Sequence, residues 1–437
     1  MADFWVSLPV WLQDFGLFLA LLTPAVLAGL VTLRGYTPWG LLAGLLRRHL
    51  WVSLTFVALI AVSVAIGTGL LAQERGLRRG TAMAADRFDL IVAAPGSEVT
   101  VMLAAVYLQP ADMALLDGPT YETIASHENV DLAAPIAFGD SWHESPVVGT
   151  TPQFVTHLGG ELAEGVVFGA IDEAVIGARV PLAIGDTLTP AHGHGDAAED
   201  DAHGDFSYRV SGRMLPTGTP WDKAILVPVE GVWLVHGLPN GHSDGWNGPP
   251  GPPFDPAFFP GTPAVLVRAE ALWANYALKS AFTTDRTMAF FPGSVLARLL
   301  SLLGDVREVM SLLAVVTQVL VAVGVLAGLF ILMRLFARRL ALLRALGAPR
   351  RFVFALVWSY AATLIAAGTL LGLVLGMVAS AAISQVVSER TDILIEASLG
   401  WPELHMVAAF LSLSVLLALL PAALTLRRSP VADLRST

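Results

Sequence analysis

Long runs without charged residues dominate the hydrophobic pattern of this chain. A helix that crosses the apolar core of a bilayer, about 30 Å thick, needs roughly 20 mostly apolar residues. Four uncharged runs meet this requirement: residues 50–71, 311–333, 352–387 and 406–426. A fifth run, 15–33, contains Pro24, which a membrane helix tolerates as a kink. We predict an integral membrane α-helical bundle with four core transmembrane helices and an extra N-terminal one.

The arginines predict the orientation of this bundle, because Lys and Arg in short loops stay on the cytoplasmic side. Three segments beside the spans carry arginines and almost no acidic residues: 34–50, 334–351 and 427–437. The long segment between residues 71 and 311 instead holds 29 acidic and 13 basic residues. Arg75, Arg78 and Arg79 at its start are exceptions to the rule. We predict that the three arginine-rich segments are cytoplasmic and that the long segment is periplasmic, in a bacterial inner membrane.

These spans divide the chain into four predicted parts. Residues 1–49 hold the N-terminal transmembrane helix and a cytoplasmic linker, and residues 50–71 form the next transmembrane helix. Residues 72–310 form a large extracytoplasmic domain. Residues 311–437 form a C-terminal domain with three transmembrane helices and a cytoplasmic segment at 334–351.

Short runs rich in Val, Ile and aromatic residues predict an α+β fold for the outer domain. The predicted strands are 89–94, 146–151, 174–180, 208–214, 224–229 and 264–269, and helical patterns cover 113–126 and 294–303. The Gly- and Pro-rich segment 241–263 predicts an exposed loop. Four aromatic residues lie in it: Trp246, Phe254, Phe258 and Phe259. They either contact a substrate or partner, or pin the loop to its own domain.

Several kinds of chemistry are excluded by the residues present. The chain has no cysteine and a net charge of -10, which argues against thiolate chemistry and against nucleic-acid binding, since phosphate contacts need a basic excess. Lys223 and Lys279 are the only lysines, and neither stands in the phosphate-binding sequence GxxxxGK[ST]. The catalytic sequences HExxH and GxSxG are missing as well. We predict a non-enzymatic membrane subunit without a cofactor of its own.

Glycines recur at helical spacing in two of the predicted spans. Gly324 and Gly328 form one GxxxG pair, and Gly368, Gly372 and Gly376 follow at a spacing of four along the next span. Small residues at this spacing let two helix backbones approach closely. The pattern predicts a helix interface, within one chain or across a dimer, although glycine-rich apolar helices also produce it by chance. Because the spans lack charges at their centres, an ion relay is disfavoured and a mechanical role is favoured.

Histidines cluster in the outer segment, most densely in the sequence AHGHGDAAEDDAHGD at residues 191–205. His192, His194, Asp196 and His203 combine imidazoles with carboxylates, which suits zinc or a similar divalent ion. An acidic, solvated hairpin tip would have the same composition. A zinc site and a site without a metal role therefore both remain open.

A basic amphipathic segment, RLFARRLALLRALGAPRR, joins two spans at 334–351. Phe336, Leu340 and Leu343 recur at helical spacing, and Gly347, followed two residues later by proline, predicts a helix stop. A short basic helix of this kind is suited to a groove of a soluble partner.

The LLRALGAPRR part of this segment resembles the cytoplasmic coupling segment of the FtsX, MacB and LolC/LolE class of ABC transporter permeases, and RRSPVADLR near the C-terminus resembles the tail motif of that class. Three outer stretches are similar to the extracytoplasmic core domain of MacB-like permeases: FDLIVAAPGS, IAFGDSWHESPVVGTTPQFV and VSGRMLPTGTPWDKAILVPVEGVWLVHG. The resemblance runs from about Leu50 to the end. The extra N-terminal span departs from it, as does Leu340 where the class often has an acidic residue.

The resemblance implies a permease subunit that forms a homo- or heterodimer in membrane lipids. It would bind a cytoplasmic ABC ATPase dimer, which holds the ATP and Mg, and move its outer domain to export or extract an envelope-side substrate. The residues it assigns to ATPase coupling are Arg334, Arg338, Arg339, Leu343, Arg344, Ala345, Leu346 and Gly347. One alternative is an FtsX-like regulator that activates a periplasmic partner and moves no substrate. A zinc-linked transport subunit is another.

Overall fold

The structure, a computed structural model, describes residues 5, 7–109, 111–192, 206–302, 304–391, 395 and 398–427. The chain divides into two compact units. The first, called the helical unit, contains the residues up to Leu77, Asp305–Val386 and the residues after Ile395. The second, called the sheet unit, contains Arg78–Gly304 and Val387–Ile395.

Helices and strands are numbered here in chain order within the described residues. The helices are α1 (Val10–Leu33), α2 (Trp39–Arg48), α3 (Leu50–Ala85), α4 (Glu98–Tyr107), α5 (Gly118–Ala125), α6 (Pro152–Gly159), α7 (Val229–Val235), α8 (Ala274–Ala281), α9 (Pro292–Leu302), α10 (Gly304–Ala345), α11 (Arg350–Thr391), α12 (Trp401–Leu417) and α13 (Leu419–Arg427). The strands are β1 (Leu90–Ala93), β2 (Val130–Trp142), β3 (Ser145–Thr150), β4 (Leu162–Gly165), β5 (Glu173–Ile176), β6 (Thr187–Leu188), β7 (Ala191–His192), β8 (Tyr208–Met214), β9 (Ile225–Pro228), β10 (Ala264–Ala269) and β11 (Met288–Phe290).

Helices long and apolar enough to cross a membrane coincide with four of the five predicted runs in the described part of the chain. Within the described residues there are four: Val10–Leu33, Leu50–Ala85, Arg350–Ser388 and Trp401–Leu424. They contain most of the predicted runs 15–33, 50–71, 352–387 and 406–426. The remaining run, 311–333, lies inside α10, which carries the apolar stretch Val315–Gly328. The chain is therefore a membrane protein built on an α-helical bundle.

Helices α3 and α11 run side by side in the same direction. Near the start of both, the hydroxyls of Ser53 and Tyr360 lie 2.8 Å apart. Farther along both helices, the side-chain amide of Gln73 donates to the carbonyl oxygen of Ser380 at 2.6 Å. Since these two bonds join α3 to α11 at both ends of their contact, they fix the register between the two helices.

Between these two bonds, the glycine stripe of α11 lies against the backbone of α3. A Cβ atom added at Gly372 would lie 2.6 Å from the carbonyl oxygen of Ala61 and 2.7 Å from the Cβ of Val64. Gly368 and Gly376 approach α3 with similar closeness. The stripe therefore packs within one chain, because only glycine leaves room for the two backbones.

Helix α10 runs in the opposite direction to α3. The side-chain amide of Gln318 donates to the carbonyl oxygen of Ser63 at 3.2 Å, and this bond is buried. Farther along α10, Gly328 faces the ring of Phe56. A Cβ at Gly324 would meet nothing within 4 Å among the described residues, so the two glycines of this pair have different surroundings.

The extra N-terminal helix α1 packs along α12. The ring nitrogen Nε2 of His405 lies 2.9 Å from the carbonyl oxygen of Asp14, and the hydroxyl of Ser412 donates to the carbonyl oxygen of Leu21. Since both contacts are in the same order along the chain, α1 and α12 run parallel.

A buried ion pair joins α3 to the start of α12. It lies near Leu77, where the part of α3 that belongs to the helical unit ends. Nη1 of Arg75 donates to Oε2 of Glu403 at 2.8 Å, and the two side chains are 17% and 1% exposed. The same carboxylate accepts the backbone N–H of Gly400 at 2.9 Å. Arg75 departs from the positive-inside rule, and its charge is compensated by this buried carboxylate.

One mixed sheet organises the sheet unit. Its strands follow the order β11-β1-β10-β2-β3-β9-β5-β8-β4, with β6 beside β8 and β7 beside β2. The pairs β3–β9 and β5–β8 are parallel and the others antiparallel. Two apolar cores fill the sheet unit, and Ile395, which follows α11, is buried in one of them. The α+β fold predicted for this region is confirmed.

The six predicted strands are present as β1, β3, β5, β8, β9 and β10, and β8 and β10 have the predicted bounds. The longest strand, β2, was not predicted because Pro135 interrupts its pattern. Pro135 faces Val265 of β10, and the ladder to β3 starts only at Ala137. At Pro135, β2 therefore pairs with a neighbouring strand on one side only. Proline is tolerated at such edge-like positions, because its missing N–H leaves no strand unpaired.

The helix predicted at 113–126 is shorter in the structure. Leu116 instead pairs with Thr262 as an isolated bridge, and the side chain of Asp117 accepts the backbone N–H of Thr120 at 2.9 Å. This cap starts α5 at Gly118, since an N-cap carboxylate satisfies a free helix N–H. The predicted helix 294–303 corresponds to α9.

The Gly- and Pro-rich loop is held from beneath by Glu230. This side chain is 1% exposed, and its Oε1 accepts the backbone N–H of Gly251 and lies 3.3 Å from Nε2 of His242. Phe254 and Phe259 are buried, which favours pinning for these two aromatic residues. Phe258 is half-buried and Trp246 stays exposed, stacked on the ring of His242 at 4.5 Å.

Replacing Gly372 by Val tests the close approach of α3 and α11. We expect a loss of about 1–3 kcal/mol in the free energy of unfolding, because the added atoms have no room. Gly324→Val is the matched control and should change stability by less than about 0.5 kcal/mol, since its Cβ meets open space. Thermal unfolding of the purified full-length chain in detergent measures both. Equal stability of the two variants would contradict close packing at Gly372.

Glu230→Gln tests the buried carboxyl under the loop. Burial, as the largest cause, raises the pKa of Glu230 above its ordinary value of 4.5. The unfolded chain therefore loses this proton at lower pH than the folded chain, so the stabilising contribution is present at low pH and declines as pH rises above 4.5. We expect the stability of the wild type to fall relative to Glu230→Gln between pH 4.5 and 7.5. Parallel thermal unfolding curves of the two proteins across this range would refute it, and Glu270→Gln, at an exposed carboxyl, is the control.

Candidate functional site

The predicted coupling segment lies at the end of α10 and is not a separate helix. Residues 334–345 continue α10 without a break, and α11 starts at Arg350. The short independent helix expected at 334–351 is therefore not formed. Phe336 and Leu340 explain why, because both are buried in the core of the helical unit and so extend the packed face of the span.

The turn after α10 is a Schellman motif. The N–H of Ala348 donates to the carbonyl of Leu343 at 3.0 Å, and the N–H of Gly347 donates to the carbonyl of Arg344 at 3.1 Å. Gly347 has φ +99°, a conformation that glycine adopts without steric cost. Leu343 and Ala348 pack against the core, as this motif commonly requires. The helix stop predicted at Gly347 is confirmed.

This turn presents one large apolar side chain to solvent. Leu346 is 85% exposed, and its flanking backbone is held by the two hydrogen bonds of the turn. Ala345 and Gly347 on either side are exposed too. We call Ala345, Leu346 and Gly347, with exposed Arg350 at the start of α11, the coupling turn.

The predicted coupling residues before the turn fall into different environments. Arg338 is exposed, whereas Arg339, Leu343 and Arg344 are half-buried. The side chain of Arg334 lies outside the described residues. Phe336 and Leu340 thus face their own bundle, whereas Leu342 and Leu346 are exposed beside Arg338 and the coupling turn.

A short helix that sequence analysis did not predict supports this segment. Leu42 of α2 is buried in the same core. His49, just after α2, accepts a hydrogen bond at Nε2 from Nη1 of Arg339 at 2.6 Å. Burial, and then the charges of Arg339 and Arg48, lower the pKa of His49, which keeps the ring available as an acceptor. The apolar spacing in WGLLAGLLRR is the signal that would have revealed α2.

The predicted metal residues lie mostly beyond the described structure. His194, Asp196 and His203 fall outside the described residues, as does the side chain of His192, whose backbone pairs with Asp140 through β7 and β2. Within the part of the chain that the structure describes, no three His, Asp or Glu side chains are grouped as metal ligands. The zinc site stays a prediction.

Comparison with known proteins assigns the C-terminal part of the chain. Residues 311–430 match the family described as FtsX-like permease C-terminal. This region contains most of α10, all of α11 and α12, and the coupling turn. No curated protein matches the chain.

Two solved structures resemble the chain at low identity. The periplasmic region of MacB from Actinobacillus actinomycetemcomitans is 9% identical, and the match covers 48% of this chain and 91% of that one with a TM-score of 0.30. The extracellular domain of the noncanonic ABC-type transporter YknZ from Gram-positive bacteria is 11% identical, with 46% and 98% covered and a TM-score of 0.28. These TM-scores are too low for either likeness to carry an argument.

Three observations concern the same stretch of chain: the motifs around Gly347, the continuous helix α10 that leads to them, and the family match. Residues 311–430, which hold most of α10 and all of α11 and α12, are therefore similar to the C-terminal domain of FtsX-like permeases.

Proposed function

We propose that this chain is the permease subunit of an ABC transporter in the bacterial inner membrane. A separate cytoplasmic ATPase dimer docks on the coupling turn and supplies ATP hydrolysis with Mg. The permease, as a homo- or heterodimer, moves its periplasmic domain to export or extract an envelope-side substrate.

The continuity of α10 carries this proposal. The helix has 42 residues, so it is about 63 Å long at 1.5 Å per residue, roughly twice the thickness of the apolar bilayer core. The coupling turn forms its last bend. A force on Leu346 therefore acts directly on a membrane-crossing helix, with no flexible linker between the docking point and the span.

The packing of the bundle supports transmission of that movement. Gln318 connects α10 to α3, and the glycine stripe locks α3 to α11. Because packed helices shift between discrete arrangements rather than deforming gradually, ATP binding by the partner would favour one arrangement of all three helices.

A regulator that moves an envelope partner without moving a substrate uses the same mechanical parts. Three hydrogen bonds between α3, α10 and α11 are made by the neutral side chains of Ser, Tyr and Gln, and they hold the helices together equally well in a regulator. Reconstitution of the complex in liposomes separates the two functions. Release of a labelled envelope molecule supports transport, whereas activation of a periplasmic enzyme without release supports regulation.

Single cysteines test the proposed orientation, and the chain offers a background without native thiols. Leu346→Cys and Leu272→Cys place a thiol at two sites that are 85% and 87% exposed. In intact spheroplasts, we expect a membrane-impermeant maleimide to label Cys at position 272 and not at 346, and permeabilisation should expose both. Labelling of position 346 from outside would overturn the proposed topology.

Leu346→Asp tests the coupling turn. We expect at least a tenfold loss of vanadate-sensitive ATPase activity co-purifying with the full-length chain, because a carboxylate cannot occupy an apolar groove without loss of solvation. Arg338→Glu should act in the same direction by reversing a charge. Leu302→Asp is the matched control, since Leu302 is 77% exposed in the sheet unit, and it should retain full activity. Unchanged recovery and activity with Leu346→Asp would contradict docking at this turn.

A further inference from the structure

A histidine and a buried carboxylate meet in the sheet unit, and neither residue belongs to the histidine-rich segment 191–205. Asp140 lies in β2, and His236 directly follows α7. Nε2 of His236 lies 3.6 Å from Oδ1 of Asp140, and the two side chains are 26% and 2% exposed. The carboxylate is therefore withdrawn from water, whereas the ring reaches the surface.

The hydrogen on the ring of His236 is positioned by α7. Nδ1 lies 2.7 Å from the carbonyl oxygen of Val232, and since a carbonyl oxygen only accepts, Nδ1 carries the hydrogen. In the neutral ring, Nε2 is then an acceptor, and it faces the carboxylate, which is an acceptor as well. Metal-binding histidines have this arrangement, in which one ring nitrogen donates to a backbone carbonyl and the other binds the ion.

The distance between Nε2 and Oδ1 fits a bridging cation better than a hydrogen bond. An N–H···O bond spans about 2.7–3.2 Å between nitrogen and oxygen, and the observed 3.6 Å is longer. Two ligands that each lie about 2.1 Å from a tetrahedral zinc ion are about 3.4 Å apart. A small closure of the pair would therefore bring both atoms to zinc-binding distance.

A buried hydroxyl close to Asp140 also lacks a partner. The side chain of Tyr208 in β8 is 1% exposed, and its hydroxyl has no hydrogen-bond partner among the described residues. Burial, and then the charge of Asp140, raise the pKa of Tyr208, so the hydroxyl keeps its proton and remains a donor. Buried polar groups are normally paired, if not with protein then with ordered water. A hydrated cation beside Asp140 would bring such water.

The same part of β2 pairs with the start of the histidine-rich segment. In the antiparallel pair of β2 and β7, the backbone of Asp140 stands opposite that of His192. The contact between Asp140 and His236 therefore lies where this segment leaves the sheet.

We infer that Oδ1 of Asp140 and Nε2 of His236 are ligands of a divalent cation of the zinc type, with water in the remaining positions. An imidazole and a carboxylate suit zinc, whereas Mg²⁺ and Ca²⁺ prefer oxygen ligands alone. A structural zinc site has four protein ligands, so an ion held by two of them exchanges readily with the solution. This inference goes beyond the proposed function and does not depend on the ATPase partner.

Isothermal titration with zinc tests the inference on the full-length chain in lipid nanodiscs. The chain is purified without a histidine tag and stripped with EDTA, which is then removed, and empty nanodiscs are the blank. We expect zinc to bind at least tenfold more tightly than Mg²⁺, because only zinc gains from the imidazole. Equal affinities for the two ions would overturn a site of the zinc type.

Variants assign the binding to this pair. Asp140→Asn and His236→Gln should each weaken zinc binding at least tenfold. His127→Gln is the matched control, since the half-buried His127 lies elsewhere in the sheet unit, where its Nδ1 accepts the backbone N–H of Asn129. This control should bind zinc as the wild type does. Wild-type affinity in His236→Gln would overturn the site, and this holds even where Asp140→Asn does not fold.

A double variant, His194→Ala with His203→Ala, separates this site from the zinc site predicted in the histidine-rich segment. We expect it to retain one zinc ion per chain, which is lost when His236→Gln is added. Complete loss of zinc binding in the double variant would place the ion in the segment and overturn the inference.

Discussion

The close approach of α3 and α11 is the constraint on which the helical unit depends. Lipid tails are as apolar as leucine, so two membrane helices gain little from the hydrophobic effect and associate through tight packing and a few hydrogen bonds. Gly368, Gly372 and Gly376 provide that packing, and the bonds from Ser53 and Gln73 fix the register at either end. With α11 set against α3, the position of its first residue, and therefore of the turn before it, is also set.

Buried contacts of two acidic side chains then fix points that apolar packing leaves free. Arg75 and Glu403 join α3 to α12 at a site where both side chains are largely withdrawn from water. Glu230 holds the Gly- and Pro-rich loop through a backbone N–H and His242. A buried polar group without its partner is costly, so each contact permits few arrangements of the backbone around it. The two contacts thus specify geometry at places where sequence alone shows only an isolated acidic residue.

The coupling turn is held by backbone hydrogen bonds at the end of a long helix. Leu346 follows α10, and the N–H groups of Gly347 and Ala348 donate back to carbonyl oxygens of its last turn. Because each residue of a helix is bonded to the one four positions away, the exposed side chain of Leu346 has a fixed place relative to α10.

The features that depend on a local pattern could be predicted from the amino-acid sequence. The uncharged runs predicted the long helices, the Val- and Ile-rich runs predicted β8 and β10 with their bounds, and Gly347 predicted the end of α10. These succeed because helix length, strand alternation and left-handed turns are decided by neighbouring residues. Which faces are buried, and what they contact, depends on packing between segments that are distant in the chain. Phe336 and Leu340, whose spacing predicted a short separate helix, pack into their own bundle, and β2 forms across Pro135 because β10 pairs with it there. Arg75 and Glu403 are far apart in the chain and meet where α3 contacts α12, which no local pattern encodes.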